Sequence, residues 1–508
     1  MAIETNIGRL AAVTLFFAIA LAGISAMFTE VPVGLPVAAL LGLGGFLYVA
    51  IRWPELFLVA AVFAPRWKTY WPLSTVAQVA DLTVVMLVGL SIGVLWRLFI
   101  HVGRLDPRSV QKLFFRQSGP VLTFLLFALL VATSYTYTAA PDYGGMKLTR
   151  FLFIATLFFL AAFFLIFTEQ DFRRFLRLFV VFAMLTALQL ISDVTMVARE
   201  EGTDITRIGA ASLLGMALII VLFYPLFSAA KWRGVFLLIA LPVLTAGLIA
   251  SAARGPLVAL VLVLLIRVVV WVKQGQFGTA VALLVLFVTS AVAMYSFVPE
   301  EYLGKYTVKI RELALLPSGE VDSGSAGQRL RFYRATLGAI PEHPLLGRGI
   351  GSWSVFYLGY DQRAYPHNLF LEVAFEQGLL GLSFFVLFLS AVAVSLLWLQ
   401  RVTRYRYLAL AMLVVYCLGV GMFSGDLDDN RILWLWIGVS LAVCRMIRLQ
   451  QHHRFIRRIT PAEVVKRVYP RPELAYPWPV MEPEARPWSS VKLGPRSWPS
   501  MKIGSPPY

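Results

Sequence analysis

Apolar runs of roughly 18–22 residues recur along most of this chain, and that is the length a helix needs to cross a ~30 Å hydrocarbon core. They fall at about 10–28, 33–51, 54–65, 78–99, 119–139, 148–167, 175–196, 208–229, 233–251, 255–272, 278–297, 378–399, 406–424 and 431–449. The third is short enough to be half of a re-entrant hairpin with the second; setting that pair aside leaves the parity unchanged. The predicted fold is therefore an all-α polytopic membrane protein with an even number, 12–14, of transmembrane helices. A membrane β-barrel would show short alternating segments instead. Composition agrees: 59% of the 508 residues are hydrophobic and only 14% are charged, too few to clothe a soluble domain of this size. The first run is long for the apolar region of a signal peptide, so it reads as a span. Cys417 and Cys444 lie inside apolar runs, where they behave as small hydrophobes rather than disulfide partners or metal ligands.

The net charge of +17 would suggest nucleic acid in a soluble protein, but no basic–aromatic groove pattern accompanies it, and nucleic acid is not an expected partner. The positive-inside rule accounts for it. Basic residues crowd alternate loops: Arg97 to Arg116, Arg173–Arg174–Arg177, Lys231 and Arg233, Lys273, Arg401–Arg404–Arg406, and Arg445 to Arg454. The opposite loops are acidic or mixed, with Glu30, Asp142, Glu200–Glu201–Asp204 and Asp426–Asp428–Asp429. Cytoplasmic N- and C-termini satisfy every loop at once. The expected organisation is a transmembrane bundle over 1–297, an external loop over 298–377, further transmembrane helices over 378–449, and a tail over 450–508. Eleven prolines after Thr460 predict a disordered, basic, cytoplasmic tail, either a tether on the anionic leaflet or a docking segment.

A loop of roughly 80 residues between spans is uncommon without a task. Within it, GQRLRFYRATLGAI (327–340) has Leu330, Tyr333, Leu337 and Ile340 at helical spacing, with Arg329 and Arg334 flanking that stripe. EHPLLGRGIGSW (342–353) follows as a glycine-spaced turn; no strand–turn–helix context makes it a dinucleotide fingerprint. The chain re-enters the membrane through AYPHNLFLEVAFEQGLLGL (364–382), which puts His367 at the interface. Arg207, in GTDITRIGAAS, and Arg254, in SAARGPLVAL, open apolar runs on the same side. Each could be a snorkelling anchor; as a set with Arg329 and His367 they suit a bound phosphate or pyrophosphate with a base beside it. Asp426, Asp428 and Asp429 share that side and could orient the histidine, hold a cation, or be an ordinary hydrophilic loop.

The stretches GQRLRFYRATLGAIPEHPLLGRGIGSW and PHNLFLEVAFEQGLLGL resemble the O-antigen ligase/polymerase superfamily, and SAARGPLVAL resembles its Ser-Arg-Gly segment. The likeness covers about 200–400; before that only the span pattern agrees. It implies a GT-C-like, inverting, metal-independent glycosyltransferase without cofactor, in the bacterial inner membrane with its active site on the periplasmic face. The implied donor is an undecaprenyl-pyrophosphate-linked oligosaccharide, and the implied acceptor a growing glycan (polymerase) or lipid A-core (ligase). It implies His367 as the base, with Arg329, Arg254 and Arg207 gripping pyrophosphate, and Glu376 as the glutamate after the histidine. Arg334, Asn368 and Asp426 complete the expected site. Tyr333 departs from the commoner tryptophan, and Ala253 interrupts a tighter Ser-Arg pair. The alternative is a lipid-linked glycan transporter; it needs charges deep in several helices, and Arg267 is the main such residue, near the cytoplasmic end of its span. A membrane scaffold is disfavoured by the external cationic set.

Overall fold

The computed structural model describes residues 34–67, 81–102, 118–195, 204–227, 230–251, 253–273 and 325–459, with a few isolated residues between 275 and 285. The expected spans at 10–28 and 278–297, the basic loop after Arg97, the start of the external loop (298–324) and the proline-rich tail therefore lie outside the described residues, wholly or in large part. The chain divides after His452 into two units, and nearly all that is described belongs to the first.

Among the described residues there is no strand, and the helices follow in order. They are α1 (Gly34–Arg52), α2 (Pro54–Trp67), α3 (Leu82–Val102), α4 (Ser118–Ser134), α5 (Pro141–Thr149), α6 (Thr156–Leu165), α7 (Glu169–Thr195) and α8 (Asp204–Phe223). Then come α9 (Ala230–Ala250), α10 (Arg254–Lys273), α11 (Ser325–Ala339), α12 (Trp353–Leu358), α13 (Leu369–Glu376), α14 (Gly378–Thr403), α15 (Leu408–Gly421) and α16 (Arg431–Ile459). Among the described residues, eight helical stretches are long and apolar enough to cross a membrane, and Arg207–Phe223 and Leu408–Gly421 are shorter apolar helices. The protein is an all-α polytopic membrane protein. The expected hairpin of the second and third runs corresponds to α1 and α2, which bend by 104° at Trp53-Pro54. Proline has no N–H for the helix ladder and biases the residue before it away from helix, so the break falls there.

The sixth run departs from its hydropathy boundaries. Its span begins at Pro141 rather than 148, and α5 and α6 are joined by a π-turn over Arg150–Ala155. The span thereby takes in Lys147, which hydropathy places outside it, and carries Arg150 in its interior.

The core is organised around α16: 83% of its apolar window is buried, against 44% or less for the other seven spans. Trp434 packs among Phe124, Phe151, Phe385 and Phe388, with Phe124 stacked on Phe159 at 4.3 Å between ring centroids. A Cβ at Gly438 would lie 2.2 Å from the Phe159 carbonyl oxygen, so glycine permits α16 to approach α6 this closely. Charges sort to the two ends of the bundle. At one end Glu169 accepts hydrogen bonds from Tyr224 (2.6 Å), Arg406 (3.0 Å) and Arg173 (3.1 Å). Arg445 donates there to the carbonyls of Phe163 (2.5 Å) and Ile166 (3.0 Å), the C-terminal groups of α6. At the other end lie Asp426, Asp428, Asp429 and the segment bearing His367.

Candidate functional site

Helices α11, α12 and α13 bury a small core of Phe332, Ala339, Trp353 and Phe375. Trp353 donates its indole N–H to Thr336 Oγ1 at 2.8 Å, which lets a threonine face the interior of α11. The buried face of α11 is therefore Phe332, Thr336 and Ala339, with Tyr333 and Ile340 half-buried. This corrects the expected stripe: Leu330 and Leu337 are 37% and 56% exposed. Arg329 lies half-buried beside the inward face, and Arg334 is exposed.

The glycine-spaced turn docks this unit on the re-entering chain. Arg348 and Gly349 donate their backbone N–H groups to the carbonyls of Phe375 (3.0 Å) and Glu376 (2.8 Å). Gly347 has φ +70°, and a Cβ there would lie 2.5 Å from the Glu376 carbonyl carbon. Only glycine meets both demands.

His367 precedes α13. The Asn368 side chain caps that helix, accepting from the N–H groups of Phe370 and Leu371, both at 3.1 Å. His367 itself adopts φ +58°, a left-handed conformation that costs a non-glycine residue free energy. Its carbonyl accepts from the Tyr333 hydroxyl at 3.1 Å, and the same hydroxyl reaches the Met422 carbonyl at 2.9 Å. Its ring lies parallel to Phe332, 6.0 Å between centroids, and 4.5 Å from Tyr365. Nδ1 is buried with no hydrogen-bond partner among the described residues. Burial, then the positive charge of Arg329, lower its pKa to about 4, against a smaller opposing effect of Asp426. At neutral pH it is a neutral imidazole with a buried, unpartnered ring nitrogen.

Three more of the expected residues stand on α10, α8 and the α15–α16 loop. Arg254 opens α10, half-buried. The neighbouring Gly255 is so close to Phe423 that an added Cβ would meet Phe423 Cβ at 3.3 Å, one residue from the Met422 carbonyl that Tyr333 holds. Arg207 is half-buried near the start of α8, about two turns before Gly215, where α8 closes on Tyr416 of α15. Asp426 is fully buried in the α15–α16 loop, accepting from the Tyr143 hydroxyl and, at 2.9 Å, from the Asp429 N–H.

Glu376 is engaged by Lys147. It is fully buried, and both its carboxylate oxygens accept from Lys147 Nζ, each at 2.7 Å, with Gln377 Nε2 a longer donor at 3.5 Å. Lys147 also pairs with Glu372, one turn earlier on α13, and Glu372 Oε1 accepts from the Leu427 N–H at 3.0 Å. One buried lysine thus ties α13 to α5, and a glutamate of the same group ties α13 to the α15–α16 loop. Burial pushes the Glu372 carboxyl up to about 8, with Lys147 opposing. In the loop, burial and the charge of Asp426 push Asp428 well above the carboxylate range. Asp426 stays below it: burial is outweighed by hydrogen bonds from Asp428 and Tyr143 and by the charge of Lys147. Asp426, Asp428 and Asp429 offer oxygens within 4.8 Å of one another, but Arg150 lies 3.7 Å from Asp428, and Arg363 pairs with Asp429 and lies 3.9 Å from Asp426. Their negative charge is met by protein cations.

Lys147, Arg150, Tyr143, Glu372 and Arg363 are absent from the sequence reading. The available signal was KLTR inside an apolar stretch and two glutamates four apart on a short helix, a spacing that puts both carboxylates on one face.

Residues 239–386 match a family model described as O-Antigen ligase. An O-antigen ligase of Pseudomonas aeruginosa is 27% identical over 368 residues, covering 70% of this chain and 83% of that protein. The matched family segment runs from α9 into α14 and contains Arg254, Arg329, Arg334, His367, Asn368 and Glu376. The two comparisons support placing the chain in the O-antigen ligase superfamily.

Proposed function

We propose that the chain is a bacterial membrane glycosyltransferase of O-antigen assembly. It moves a glycan from a polyprenyl-pyrophosphate carrier at the periplasmic face to an acceptor hydroxyl, with inversion. His367 takes the acceptor's proton, the freed oxygen bonds to the anomeric carbon, and the bond to pyrophosphate breaks with its electron pair going to the phosphate oxygen. Arg329, Arg254 and Arg207 hold that pyrophosphate, offsetting the charge that grows on the leaving group. Asn368 holds the start of α13, and Glu376 and Asp426 keep the floor of the site in register rather than meeting the sugar. Arg334, on the exposed side of α11, is assigned to the glycan beyond the pyrophosphate.

The observation that carries this reading is a neutral, part-buried histidine with an unpartnered Nδ1 beside an arginine. A sugar hydroxyl is a weak nucleophile, and a placed base is worth about 10²–10⁴-fold. Arg267, the residue that favoured a transporter, lies between Phe223 and Trp271, 5.6 and 4.4 Å from their ring centres, which suits an anchor better than a translocation path.

The test is glycan transfer by purified protein in detergent with EDTA, comparing wild type with His367→Ala. Lipid-linked oligosaccharide is offered alone, then with lipid A-core. Longer glycan from donor alone identifies a polymerase, and product only with lipid A-core identifies a ligase. Transfer by a well-folded His367→Ala protein sinks the base role, and loss of wild-type transfer in EDTA sinks metal independence.

A further inference from the structure

We infer that Tyr333 is a positioning residue for His367: its hydroxyl, shared between the carbonyls of His367 and Met422, holds the base in its left-handed backbone conformation. This rests on the proposed base role of His367.

Arg329, Phe332 and Tyr333 stand at i, i+3 and i+4 of α11 and so share a face. Each acts on a different part of the histidine. Phe332 lies parallel to the ring, Arg329 sets its electrostatic surroundings, and Tyr333 binds its backbone. A histidine at φ +58° persists only where its surroundings over-determine that conformation. Asn368 fixes the residue after it through the α13 cap. The carbonyl of His367 itself is fixed by the tyrosine hydroxyl at 3.1 Å. The 2.9 Å contact to Met422 matters equally, because it ties that point to the end of α15. Phe423, next along, abuts Gly255 at the start of α10 beside Arg254. One hydroxyl therefore joins the helix bearing Arg329, the segment bearing His367 and the chain that packs beside Arg254. A phenylalanine at 333 keeps the ring and removes the hydroxyl, which the Asn368 side chain also meets.

The experiment is steady-state transfer by full-length Tyr333→Phe, with wild type and His367→Ala alongside, each first shown to run as a monodisperse peak in detergent. The expected result is a kcat lower by about 10- to 100-fold with the KM for lipid-linked donor unchanged, the scale of a misplaced catalytic group. The acid limb of the kcat/KM profile, which reports the free enzyme, is the second readout. A loosened ring gains water, so the limb moves up from about 4 toward the ordinary histidine value of ~6.5. The groups facing His367, Arg329 of α11, Asp426 of the α15–α16 loop and Tyr365 of its own segment, are unchanged by the substitution. A merely structural role would lower the yield of folded protein and leave the limb where it was. Wild-type kcat with a wild-type acid limb in Tyr333→Phe overturns the inference. An active His367→Ala overturns the base reading instead; an inactive His367→Ala beside a wild-type-like Tyr333→Phe removes only the positioning role.

Discussion

Lys147→Met should be among the most damaging single changes in the protein although it touches no proposed substrate contact. Lys147 is fully buried, and its ammonium group is held by both oxygens of Glu376 at 2.7 Å and by Glu372. Methionine fills a similar volume but leaves two buried carboxyls facing each other. Breaking a buried ion pair from one side costs about 3–5 kcal/mol, because the remaining charge is stranded. Here part of that penalty is avoidable by proton uptake, since the Glu372 carboxyl already sits near 8. A carboxyl whose folded pKa is raised binds protons in the folded state, so its burden grows as pH rises and eases as pH falls. Unfolding should be followed by far-ultraviolet circular dichroism during SDS titration of detergent-solubilised protein at pH 6 and pH 8. The expected loss is about 3–5 kcal/mol at pH 8 and less at pH 6. Adding Glu372→Gln and Glu376→Gln to Lys147→Met should recover most of it, because no charge is then stranded and the new amide oxygen at position 372 can still accept from the Leu427 N–H. A Lys147→Met protein as stable as wild type at pH 8 would refute the reasoning.

Asn368→Ala removes both cap hydrogen bonds of α13 and should cost about 1 kcal/mol in the same titration, with a larger proportional loss of transfer than of stability. Gly347→Ala places a methyl 2.5 Å from the Glu376 backbone at φ +70°, and should give a protein that fails to reach the membrane fraction in wild-type amounts. Arg329→Lys keeps the charge and loses the planar fork; a raised KM for lipid-linked donor is expected, and an unchanged one argues against the pyrophosphate contact. Wild-type kcat/KM should hold from neutral pH down to about pH 5 and fall as His367 is protonated near 4; an acid limb at 6 to 7 would show the base to be solvated in the free enzyme.

The span pattern was legible because bilayer thickness sets a length that needs no knowledge of partners, and the shortness of the third run pointed to its hairpin with the second. Lys147 was not legible. Hydropathy scores a lysine as a cost, and the glutamates that cancel it lie more than two hundred residues away in sequence. The inward face of α11 was misread for a related reason. Leu330 and Leu337 fit helical spacing as well as Phe332, Thr336 and Ala339 do, and Thr336 can turn inward because its hydroxyl donates to the Phe332 carbonyl at 2.6 Å and accepts from the Trp353 indole N–H. His367 could be named from its motif, but its left-handed backbone could not, since that depends on carbonyl contacts made across the fold.

The nearness of Arg329 to His367 has a further consequence under the proposed mechanism. In the empty enzyme the guanidinium and burial together make the imidazole a feeble proton acceptor. A pyrophosphate seated on Arg329 would cancel that positive charge and bring negative charge beside the ring, strengthening the base. Proton affinity and donor binding are then reciprocally linked. The enzyme would acquire its full basicity only once loaded, and an acceptor arriving first would meet a weak base and wait.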